Sequence, residues 1–167
     1  MIEQRTADGL PGWIPLSTRL GLDIPNEQVL DVDPSQEARL RNALQKKFKQ
    51  VAIERRPPSG VYNCHGLTFA NRRTAIHDAS YVPRILNDDG YQKIKLSDVL
   101  PGDLVVYYEA NEPTHSGVVL RVIEGKPEGV IRSPEIMSKW GAAGEYVHRF
   151  NEGPYSDSAP TFWTDRP

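Results

Sequence analysis

One cysteine, Cys64, stands in a chain of 167 residues. That excludes an internal disulfide and leaves too few thiolates for a structural zinc cage. No apolar run approaches the roughly 18 residues of a membrane span, and the N-terminal stretch lacks the basic start and apolar run of a cleaved export signal. Neither sign of charge dominates: Lys and Arg number 20 against 22 Asp and Glu, for a net charge of −2. A basic footprint for nucleic acid or anionic lipid is therefore missing, and a neutral or small polar partner is expected. No repeat or low-complexity block breaks the chain. The expectation is one soluble domain, cytoplasmic as made, which could reach an outside target only by a route that needs no cleaved signal.

Residues 1–33 are punctuated by Gly9, Pro11, Gly12, Pro15, Gly21 and Pro25 and read as an irregular arm anchored by Trp13 and Ile14. Asp33, Pro34 and Gln36 supply a cap, a first-turn proline and a capping-box partner. Leu40, Leu44, Phe48 and Val51 then recur at helical spacing, which predicts a helix over 34–52. Asn63 is a second cap, with Leu67, Ala70 and Thr74 on one stripe of a helix over 61–75. The segment 76–96 stays unassigned apart from a turn at Asn87–Gly90. Leu100-Pro101-Gly102-Asp103 reads as a type II turn, with Asp103 bonding local amides, and leads into a strand over 104–108. Alternation over 115–123 gives a second strand, with His115, Gly117 and Val119 facing one way. Gly125–Gly129 reads as a turn, Val130–Trp140 as one or two strand pieces with Trp140 in the core, 145–150 as a last strand, and 151–167 as an irregular tail. Helices followed by strands mean α+β, with a main domain over 34–150.

Cysteine is a nucleophile only as thiolate, and a helix N-terminus lowers a thiol pKa. Cys64 follows the Asn63 cap, and Gly66 leaves the helix start open to a substrate carbonyl, with nearby amides as an oxyanion hole. A packed, inert thiol is the alternative use. Of four histidines, His65 adjoins Cys64 but points elsewhere, and His77 lies in the unassigned segment. His115 starts a strand and shares its face with Gly117, which leaves room for a helix end, so it is the best base for Cys64. No histidine spacing matches a metal site, and no metal or cofactor is expected.

Three segments, Tyr62-Asn63-Cys64-His65-Gly66-Leu67, Leu100-Pro101-Gly102-Asp103-Leu104-Val105 and His115-Ser116-Gly117-Val118-Val119, together resemble the NlpC-type cysteine peptidases and their CHAP relatives, from near Pro58 to His148. The resemblance implies a papain-like α+β fold, with N-terminal helices on an antiparallel sheet, Cys64 as nucleophile and His115 as base. It further implies a third polar group that orients the imidazole. Here that group is His148, with Ser138 and Glu145 as alternatives. Tyr62 would lean over the cleft and, with Gly66, contact substrate. Family members commonly cut amide bonds in peptidoglycan stem peptides, so the expected substrate is such a stem or another short peptide. Asn63 and His65 replace the commoner aspartate and serine around the nucleophile. An acyl or peptidyl transferase using the same pair, or a non-catalytic binding module on the same fold, are the alternatives, and an inhibitor or immunity partner is left open.

Overall fold

A computed structural model describes residues 12–29, 33–125 and 132–167. The predicted turn at 125–129 and the start of the strand at Val130 lie mostly outside these residues, as do parts of the N-terminal arm. Among the described residues the fold is α+β: three α-helices and a seven-stranded antiparallel sheet in the order β1 (Ala52–Arg56), β6 (Glu145–Arg149), β5 (Arg132–Lys139), β4 (Glu112–Glu124), β3 (Leu104–Glu109), β7 (Ala159–Thr164), β2 (Gln92–Ile94).

The helix α1 spans Pro34–Phe48, with Asp33 Oδ1 accepting from the Ser35 amide at 2.8 Å. It ends four residues before the predicted boundary, and β1 (Ala52–Arg56) occupies the sequence that follows. β1 pairs with β6 along one edge and is tied to α1 by Arg41 and Gln45 on Glu54, while Ile53 lies exposed. The helix α2 is Cys64–Phe69, far shorter than the expected 61–75. Asn71 and Arg72 both adopt positive φ, 48° and 66°, which turns the chain out of the helix. The unassigned segment holds α3 (Tyr81–Asp88), whose Val82, Ile85 and Leu86 are buried, and the short β2 (Gln92–Ile94).

The Leu100–Asp103 turn closes as its sequence demands: Gly102 has φ 95° and the Asp103 amide donates to Leu100 O at 3.1 Å. It delivers β3 (Leu104–Glu109), which pairs with β4 (Glu112–Glu124) through a two-residue hairpin with Ala110 and Asn111 at positive φ. β5 (Arg132–Lys139) and β6 (Glu145–Arg149) continue the sheet. The expected irregular tail is corrected by β7 (Ala159–Thr164), which lies between β3 and β2 and buries Phe162. Its Pro160 hid the strand from a propensity reading.

The register assigns the sheet's two faces. His115, Gly117, Ser138 and His148 share one; Ser116, Met137, Lys139 and Glu145 share the other. The first face is closed by Val99, Val105, Tyr107, Val119, Ile136 and Phe162. The second meets α2, with Ser116 Oγ bonded to Thr68 and His65, and α3, whose Val82 and Leu86 cover Val106. Described arm residues pack on α2 and α3 through Ile24, and Asn26 bonds Ile14 and Thr74. Among the described residues no helix is long and apolar enough to cross a membrane.

Candidate active site

Asn63 shapes the start of α2. Its Oδ1 accepts from the Gly66 and Ile76 amides at 2.9 and 3.1 Å, and its Nδ2 donates to Ile76 O at 2.7 Å. One side chain thus caps the helix and clamps the 74–76 segment against it. Gly66 serves that clamp: a Cβ there would sit 1.8 Å from Thr74 O. Gly66, expected to contact substrate, is placed by the structure in close backbone packing against Thr74.

Cys64 is half-buried at the first turn of this six-residue helix. Burial pushes its thiol up to about 11, outweighing the amides of Ser116, His65 and Cys64 itself and the charge of Lys139, all of which pull it down. A low-pKa thiol, expected from the helix start, is not what the resting environment produces, because six residues carry little dipole and desolvation dominates.

His115 is fully buried, and among the described residues neither of its ring nitrogens finds a hydrogen-bond partner. Its ring stacks face to face on Tyr155, with centroids 3.6 Å apart and planes 7° from parallel, and lies 5.6 Å from the Tyr107 ring. Burial, with His148 and His65 nearby, holds the imidazole well below its ordinary pKa. The missing side chain of Gly117 faces Ile136, Met137 and Ser138 rather than a helix end. The chain therefore carries Cys64 to the amide of Ser116, the residue after His115, while the His115 ring lies on the other sheet face; the two side chains share no hydrogen bond.

The residues offered as the orienting group are engaged elsewhere. Trp140 Nε1 donates to Ser138 Oγ at 3.0 Å, Ser138 Oγ meets His148 Nε2 at 2.8 Å, and His148 Nδ1 meets Arg149 O at 2.8 Å. This chain assigns the proton to His148 Nδ1 and leaves no nitrogen of His148 for His115. Burial also lowers the His148 pKa. Glu145 faces the α2 side: fully buried, it accepts from Tyr62 Oη at 2.5 Å and from Arg72 Nε and Nη2 at 2.5 and 3.1 Å. Burial works against its charge, yet Arg72 and Tyr62 hold the carboxyl below its ordinary value. Tyr62 is accordingly a buried partner of Glu145 rather than an open cleft wall.

Several members of this neighbourhood escaped the sequence. Lys139 is fully buried on the α2 face, donates to Gly141 O at 2.7 Å and to Ala143 O, and lies 5.4 Å from the Tyr62 ring centroid. Burial brings its ammonium down to about 8. Only its place between Ser138 and Trp140 in a strand pattern hinted at burial. Ser116 was legible from the strand alternation, since it faces opposite His115. Tyr155 and Arg72 left no sequence signal. Among the described residues no three His, Cys, Asp or Glu side chains gather as metal ligands. A groove of about 490 Å³ between α1, Ala52, Glu54 and Tyr146 shares no lining residue with the Cys64 and His115 neighbourhood. No protein-family model, curated protein or solved structure matches the chain.

Proposed function

We propose that the chain is a papain-like thiol hydrolase that cleaves an amide bond in a peptidoglycan stem or another short peptide, with Cys64 as nucleophile and His115 as base. The carrying observation is that a capped helix start brings Cys64 to the amide of Ser116, one residue from His115, on the strand β4 that follows β3 through the Ala110-Asn111 hairpin. In this reading the imidazole takes the thiol proton and the sulfur attacks the amide carbonyl carbon. The imidazolium then returns the proton to the departing amine, and water cleaves the thioester. Both partners are neutral at rest, with α2 on one face of β4 and the His115 ring on the other, so this reading requires substrate binding to rearrange the site before proton transfer.

Incubating the protein with peptidoglycan fragments and a general peptide library, and weighing the products, tests this. The expected outcome is cleavage that falls by about 100-fold or more in Cys64→Ser and in His115→Ala. Cleavage unchanged in both variants would remove the pair from the reaction. Added amine acceptors separate hydrolysis from acyl transfer in the same assay.

The burial of both groups favours a second reading, a binding module on the same fold. Undiminished biological effect of Cys64→Ser, with no cleavage by the wild type, would select it.

A further inference from the structure

We propose that Tyr155 is the positioning residue for His115: its ring, stacked on the imidazole, takes the orienting part that a hydrogen-bonding third side chain would otherwise play. The inference rests on the thiol hydrolase reading and assigns a role within that same site.

Three observations carry it. First, each hydrogen-bonding candidate is occupied: His148 and Ser138 bond each other, and Glu145 is held by Tyr62 and Arg72 on the opposite sheet face. Second, among the described residues both His115 nitrogens are without partners, so its ring plane is set by packing, and the closest ring is Tyr155. Third, the stack itself is informative. Neutral aromatic pairs favour offset or edge-on arrangements with centroids about 4.5–7 Å apart, whereas centroids 3.6 Å apart with planes 7° from parallel put the imidazole squarely over the phenol face. That geometry suits a ring that becomes cationic, because the negative face of the phenol attracts it. Taking the Cys64 proton would make a buried imidazolium on which, among the described residues, no carboxylate acts, and the Tyr155 face is the group placed to meet that charge.

The segment carrying Tyr155 is built to hold the ring there. Gly153 has φ 97° and lies against Trp140 so closely that an added Cβ would sit 3.1 Å from its ring, and Ser158 Oγ donates to Glu109 at 2.7 Å, holding 153–158 at both ends. The groups facing His115 are Tyr107 from β3, His148 from β6 and Tyr155 itself, while His65, bonded to Ser116 on the opposite sheet face, acts on its charge from there. Burial raises the phenol to about 12, with Cys64 a smaller cause, so Tyr155 stays uncharged through the working range.

The test compares wild type, Tyr155→Phe and Tyr155→Leu by NMR of the His115 ring protons across pH, alongside the pH profile of kcat. In wild type and Tyr155→Phe the ring protons should be shifted upfield by the stacked ring, with matching titrations. In Tyr155→Leu the upfield shift should vanish, the imidazole should titrate still further below its ordinary value, and kcat should fall on the order of tenfold. Unchanged His115 signals and pH profile in a folded Tyr155→Leu would overturn the proposal. So would a Tyr155→Phe variant that loses the upfield shift, which keeps the test decisive if the leucine variant does not fold. The ring signals need no turnover, so an inactive wild type would count against the hydrolase reading and not against the stack.

Discussion

At the scale of single residues, the site is a collection of groups kept from ionising and charges kept from solvent. The Cys64 thiol, raised from 9.0 to about 11, should react with iodoacetamide about 100-fold more slowly near pH 8 than an exposed cysteine, because its thiolate fraction is that much smaller. Fast labelling of the unliganded protein would contradict the resting environment described above. Glu145 makes the opposite case, a fully buried carboxylate whose charge is matched by Arg72, itself 25% exposed. Removing one partner of such a pair leaves the other unmatched. Glu145→Ala should therefore lower unfolding stability on the order of 3 kcal/mol in a urea titration. Neither residue announces this state in the sequence: Glu145 reads as a strand-start charge, and its guanidinium partner is 73 residues away in the chain.

Among the elements, local chemistry was legible and long-range pairing was not. The Asp33 cap, the Asn63 cap and the Pro101-Gly102 turn each act within a few residues, and α1, α2 and β3 start where those residues put them, while the strand read from the alternation after His115 begins earlier, at Glu112. Helix ends were misplaced because tertiary context sets them: α2 stops where Asn71 and Arg72 take left-handed backbone so that Arg72 can reach Glu145. β1 was hidden in the run Ala52-Ile53-Glu54-Arg55-Arg56, whose partner is β6 and whose composition is that of an exposed edge. The candidate pair was legible as residue types in a familiar order, while the side of the sheet on which the His115 ring comes to rest was not. At this scale Asn63→Ala is the informative change. It removes a helix cap and the two Ile76 bonds together, and should cost about 2 kcal/mol by denaturant unfolding, at the upper end for a cap.

For the molecule as a whole, three buried histidines set the response to acid. His65 is lowered from 6.5 to about 4 by burial, and His115 and His148 are lowered too. The unfolded chain binds these protons more readily than the folded one, so stability is intact above about 6.5 and is lost as pH falls from there toward 4. His65 alone should remove about 2 kcal/mol by pH 5. The carboxylates Glu145 and Asp103, lowered below 4.5 and 3.8, add their loss only at lower pH. Thermal melts should show a lower midpoint at pH 5 than at pH 7; an unchanged midpoint would mean that these imidazoles are charged in the native state. The sheet order bears on a different moment in the protein's life. Because β7 slots between β3 and β2, a nascent chain on the ribosome exposes two unpaired strand edges until residues 159–164 emerge. Half-synthesised copies would then be the ones most in need of a chaperone.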